Sequence, residues 1–190
     1  MRANLNLLSL ITALVICVCF TSCKKEETPT RVIETSTVTD IEGREYKTVK
    51  IGNQWWMAEN LAVTRYNDST ALNFVDISSS DSVWANTSEA AYTSLNNGQY
   101  GNLYNYAALE NIEHIAPVGW HIPTDEEWKI LEHEIGMAHE EVEALGWRGV
   151  NEANKLAALN AIGWPEGAPL FGSDEYGFNA KPGGCRSFSG

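Results

Sequence analysis

The stretch Gly119-Trp120-His121-Ile122-Pro123-Thr124-Asp125-Glu126-Glu127-Trp128-Lys129-Ile130-Leu131 constrains the fold most, because it marks where an extended segment stops and a helix begins. Thr124 is the predicted N-cap. Its hydroxyl is placed to accept from the amide of Glu127, whose carboxylate reaches back to the amide of Thr124. Asp125 and Glu126 put negative charge in the first turn, where the helix dipole favours it. Pro123 keeps Ile122 extended. Trp128, Leu131 and Ile135 then recur at helical spacing, while Glu127, Lys129, Glu132 and Glu134 lie on other faces. One apolar stripe is thereby turned towards a core, and the helix is expected to stop near Gly136.

Around this helix the pattern alternates between short elements and loops. Tyr46, Val49 and Ile51 introduce a strand, Gly52-Asn53 supplies a turn, and Gln54-Trp55-Trp56-Met57 makes the return strand of a hairpin. Asp40 to Glu45 reads as a turn before it. From Asn67 to Gly98 the residues are mostly Asp, Asn, Ser and Thr with isolated aromatics, which predicts loops broken by short elements. Leu103 to Ile112 is expected to be helical, and His139 to Leu145 a further helix stopped at Gly146.

The N-terminal residues read as an export signal. Arg2 is followed by the apolar run Leu7 to Phe20, too short and wrongly flanked for a committed membrane span. Phe20-Thr21-Ser22-Cys23 resembles the lipobox of bacterial lipoproteins, which implies cleavage before Cys23 and lipid on its thiol. Several acyl chains on one residue suffice for stable anchoring. Residues 1–22 are thus read as signal peptide, 23–38 as a flexible tether and 39–190 as the folded domain. Lys24-Lys25-Glu26-Glu27 resembles the charged tag that sends some lipoproteins to the outer surface. The expected location is therefore the bacterial outer membrane, facing outwards. With Cys17 and Cys19 removed and Cys23 acylated, Cys185 is left without a disulfide partner and reads as a small residue at the edge of the core. With 13 basic residues against 25 acidic ones the net charge is −12, which argues against nucleic acid as a partner.

Several motifs carry a resemblance. Val49-Lys50-Ile51-Gly52-Asn53-Gln54-x-Trp56-Met57-x-Glu59-Asn60-Leu61, Gly101-Asn102-Leu103-Tyr104-Asn105-Tyr106-Ala107, the Gly119 to Leu131 stretch, and Tyr176-Gly177-Phe178-Asn179-Ala180-Lys181-Pro182-Gly183-Gly184 together resemble the Fibrobacter succinogenes major paralogous domain. That family is found in secreted and surface proteins. Trp147-Arg148-Gly149-Val150-Asn151-Glu152-Ala153-Asn154-Lys155-Leu156 is similar to a further stretch of it. Ile122-Pro123-Thr124 with Glu127-Trp128 is also similar, remotely, to formylglycine-generating enzymes. The resemblance implies an α+β, C-type-lectin-like domain with short antiparallel strands, two or three helices and long irregular loops. It covers what in relatives is the first two-thirds of the domain, so a truncated gene product is expected rather than a functional short form.

No phosphate loop, nucleophile elbow or calcium loop is readable. His133 and His139 mimic a zinc-binding helix only superficially, since that chemistry needs two histidines at i and i+4 on one face. The copper chemistry of formylglycine-generating enzymes needs a cysteine pair, and only Cys185 remains. The expectation is therefore a non-enzymatic surface module without cofactor or metal, binding an extracellular glycan or protein. Trp84, Trp164, Trp147 and Tyr92 are its expected ligand residues, with Trp84 and Trp164 placed in exposed loops. The alternatives are a structural envelope lipoprotein without ligand, and a hydrolase using Glu126, Glu127 and His121.

Overall fold

The computed structural model describes residues 31–76, 78–79, 81–94, 98–110, 115–146, 148–159 and 172–186. Residues 31–190 form one compact unit. Among the described residues the fold is α+β, with two small sheets and short helices.

The first sheet has the order β1 (Thr35–Thr39), β2 (Glu45–Ile51), β3 (Gln54–Met57), all antiparallel. The predicted hairpin is β2 and β3, turned at Gly52 with φ 58°. β1 begins at Thr35, inside the stretch read as a tether, and lies against Val49 through its register partner Thr35. The threonines that look like linker composition are also good strand formers, and Val38 opposite Tyr46 gives them a neighbour to pack on. The turn before β2 is held by Asp40, whose carboxylate accepts from the amides of Glu42 and Arg44 and, at 2.7 Å, from the Tyr46 hydroxyl. Burial and that carboxylate push the Tyr46 phenol far above its ordinary value.

The second sheet orders β4 (Asn73–Phe74), β5 (Ala91–Ser94) and β6 (Asn102–Tyr104), with β4 and β5 parallel and β5 and β6 antiparallel. Helix α1 (Asp81–Ala85) lies between β4 and β5 in the chain. Here the helix expected over Leu103 to Ile112 is corrected. Leu103 and Tyr104 belong to β6, and among the described residues of that stretch Tyr106–Leu109 is helical, as α2, while 111–112 lie outside the described residues. The switch falls at Asn105, whose side chain accepts from the Ala108 amide as N-cap, accepts from the Ala91 amide and donates to Glu89. An asparagine that caps a helix and ties it to a sheet stops the helical period from running backwards through it.

Gly101 explains the start of the same motif. It has φ 78°, and a Cβ there would stand 2.7 Å from Asn60 Cβ and from the Leu61 carbonyl oxygen. The close approach lets Asn102 donate to the carbonyls of Ala62 and Val63, and Tyr104 donate to Val63 at 2.8 Å. The segment after β3 is strapped to the second sheet in this way.

The capped helix forms as the sequence predicts. Helix α3 (Asp125–Glu134) has Thr124 as N-cap with both halves of the capping box present. Leu131 and Ile135 are buried with Val49, Ile51, Trp56 and Tyr176, so the helix lies on the first sheet. Its C-terminal end is closed by Gly136 at φ 101° and by Lys155, whose ammonium donates to the Ile135 carbonyl at 2.6 Å. That contact gives a physical role to the Arg148 to Leu156 motif, which also contributes Arg148 to Glu132 at 2.8 Å. Helix α4 (His139–Val142) follows, shorter than the expected run to Leu145, with Leu145 fully exposed.

Two substitutions test this account. Thr124→Ala removes one half of the capping box and is expected to cost about 1 kcal/mol in urea unfolding. Gly101→Ala meets backbone on a positive φ and is expected to cost at least about 1 to 2 kcal/mol, with a lowered thermal midpoint.

Candidate functional site

Three of the stretches that carry the family resemblance converge. The chain after Gly52, the run from Ala116 to Trp128, and Phe178-Asn179-Ala180 line one cleft of about 680 Å³. β3 supplies one wall, the extended approach to α3 another, and Phe178 closes the apolar end.

The apolar surface is aromatic. Trp56 and Trp128 stack at 4.8 Å between ring centroids, tilted by 45°. Phe178 lies 6.0 Å from Trp56 and edge-on to Trp128 at 6.3 Å. Trp56 is buried, whereas Trp128 is 37% exposed and Trp55 39%. Trp120, half-buried, completes the set. Partly exposed indoles present flat apolar faces with a polar N–H at the edge. Two lining residues hold buried polar atoms without a partner among the described residues, Trp56 Nε1 and Gln54 Oε1.

The polar rim centres on Glu127. Its Oε2 accepts from the Thr124 amide at 2.8 Å and from the Thr124 hydroxyl at 3.0 Å, while Oε1 lies 2.7 Å from His121 Nε2. The Thr124 amide, and after it His121, hold the carboxyl below the ordinary carboxylate value of 4.5. One side chain thus caps the helix and positions an imidazole on the cleft wall. Glu126 does not join them: it is 77% exposed and pairs with Lys129. Of the acid pair considered for a hydrolase, only Glu127 meets His121, and it is committed to accepting hydrogen bonds. Among the described residues no three metal-ligating side chains gather.

The ligand residues expected from sequence fare differently. Trp84 is corrected: it is 8% exposed, packed with Val75 and Ala91 and covered by Arg186 at 5.0 Å from its ring. Helix α1 turns the indole inwards, and its neighbour Val83 is the exposed one. Tyr92 sits in a second groove of about 400 Å³ with Arg44, Phe74 and Asn102, its ring 5.3 Å from Phe74. Trp147, Trp164 and Cys23 lie outside the described residues. Cys185 is exposed rather than at the core edge, and its neighbour Arg186 covers Trp84. Trp55 and Trp56 are among the aromatics whose number in the sequence suggests stacking on sugar rings, whereas Trp120, Trp128 and Phe178 are site residues that sequence reasoning missed, although all three lie inside the motifs quoted above. The available signal was their position in those motifs, next to turns and a helix start.

The domain is mixed α+β, and its sequence motifs build an aromatic cleft. The chain belongs to the family described as the Fibrobacter succinogenes major domain, whose model matches residues 49–190. Comparison with curated proteins and with solved structures found no match.

The hydrogen bonds to Glu127 set a pH dependence. A carboxyl whose folded value lies below its unfolded one adds stability that is present above the unfolded value and lost as pH falls through the folded one. Acid titration of unfolding free energy is expected to show that loss below pH 4.5, and Glu127→Gln is expected to flatten it.

Proposed function

We propose that this protein is a non-enzymatic cell-surface module that binds a carbohydrate or protein ligand in the Trp55–Trp128 cleft. The observation that carries the reading is the cleft itself: indoles at 37% and 39% exposure beside a polar rim of Glu127 and His121. Apolar faces supply stacking surface and the rim supplies direction, the usual division of labour in ligand sites. The commitment of both Glu127 oxygens to Thr124 and His121 favours a positioning role over proton transfer.

The family membership is consistent with a surface-associated protein. We further propose that the chain reaches that surface through lipid on Cys23, anchored in the outer membrane and facing outwards, and that its domain is of the C-type-lectin-like kind. Among the described residues no helix is long and apolar enough to cross a membrane. A lipid anchor of several acyl chains meets that need without one.

Trp55→Ala is expected to weaken a ligand found by glycan array or cellulose pull-down by about tenfold, a value in line with the loss of one aromatic stack. Trp84→Ala is expected to lower stability, with affinity in the surviving folded fraction unchanged. Arrays and pull-downs that give nothing would favour the structural envelope lipoprotein. Cys23→Ala is expected to move the protein from the membrane pellet to the soluble fraction, and a variant that stays in the pellet contradicts the lipid anchor.

A further inference from the structure

We propose that the cleft takes an extended polypeptide segment, alternating basic and apolar residues, by strand addition to the outer edge of β3; this rests on the cleft being a ligand site. Among the described residues β3 is the last strand of its sheet, next to β2 alone. In an antiparallel ladder, pairs that exchange both hydrogen bonds alternate with pairs that exchange none. The Ala58 amide donates to the Lys47 carbonyl at 2.8 Å. By the register, Val49 with Trp56 and Ile51 with Gln54 fall in that same bonded set. Lys50, opposite Trp55, donates to the Glu34 carbonyl on the β1 side instead. Trp55 and Met57 therefore turn their N–H and C=O groups away from β2, and among the described residues these groups meet no partner.

That free edge faces the cleft. Gln54, Trp55, Trp56 and Met57 all line it. Successive strand side chains point to opposite faces, so a cleft touching all of them runs along the strand's edge. The outward groups of Trp55 and Met57 are spaced by about 7 Å, the two-residue repeat of an antiparallel strand. A polypeptide offers a donor and an acceptor at that repeat, which a glycan does not. Alternate residues of the added strand would meet the Trp56–Trp128–Phe178 surface, which selects apolar side chains. Charge selects the rest: Glu59 and Glu127 are among the lining residues, lysine and arginine are not, and the chain carries a net −12.

The test uses the full-length chain in detergent and short random peptides displayed on phage. Selected peptides are expected to alternate apolar with Lys or Arg. N-methylation of one alternate set of their amides should weaken binding by about fivefold for each bond lost, and of the other set hardly at all. Amide exchange at Trp55 and Met57 is expected to be fast in the free chain and protected on peptide binding. Met57→Pro should abolish peptide binding with an unchanged circular dichroism spectrum, since its N–H takes no part in the β2 ladder. If that variant does not fold, amide exchange on the unaltered chain decides. The inference is overturned if those amides are already protected in the free chain, if binding ignores N-methylation, or if selection returns no peptide. Cello-oligosaccharide binding lost in Trp55→Ala, without peptide binding, would leave the glycan-binding reading standing and this inference refuted. Neither kind of binding would end both.

Discussion

The hydrogen bonds between Thr124 and Glu127 are the constraint on which the cleft depends. They fix the first residue of α3, and a helix whose start is fixed has its Trp128, Leu131 and Ile135 fixed in rotation as well. Leu131 and Ile135 then enter the core against Val49 and Ile51, while Trp128 is left at the margin on Trp56. The same carboxylate holds His121 at 2.7 Å, and the Glu127 carbonyl accepts from Gln54 at 3.2 Å on β3. A local capping motif thereby joins helix, approach segment and sheet at one point.

The rest of the domain braces this junction. Lys155 and Gly136 close the far end of α3, and Tyr176 donates to the Glu134 carbonyl at 3.2 Å, which carries Phe178 to the cleft. Asn60, Gly101 and Asn102 strap the exit of β3 to the second sheet. Surface ion pairs such as Lys129 with Glu126 and Glu143 add little by comparison, because solvent screens them.

How much of this was legible in the residues follows from the range of the forces involved. The helix start and the β2–β3 hairpin were readable because capping and turn chemistry act within four residues. The switch from β6 to α2 was not, since it depends on Asn105 bonding to Ala91 and Glu89 far back in the chain. β1 has the composition of a tether because a threonine-rich run is strand only when a partner strand is there to receive it. The polar neighbours of Trp84 in the chain suggest exposure, and only the fold packs Val75 and Ala91 around it. The cleft is present in the sequence as motifs but not as a site, because Trp55, Trp128 and Phe178 lie far apart in the chain and only the tertiary fold brings them together.

The central claim, that ligand is received at the indole cluster of the capped helix and β3, is tested most directly by two-dimensional ¹⁵N–¹H spectra of the tryptophan indoles during ligand titration. The account predicts that the Trp55, Trp56, Trp120 and Trp128 signals move together and saturate while Trp84 stays in place. Movement of Trp84 with the other four unchanged would contradict it.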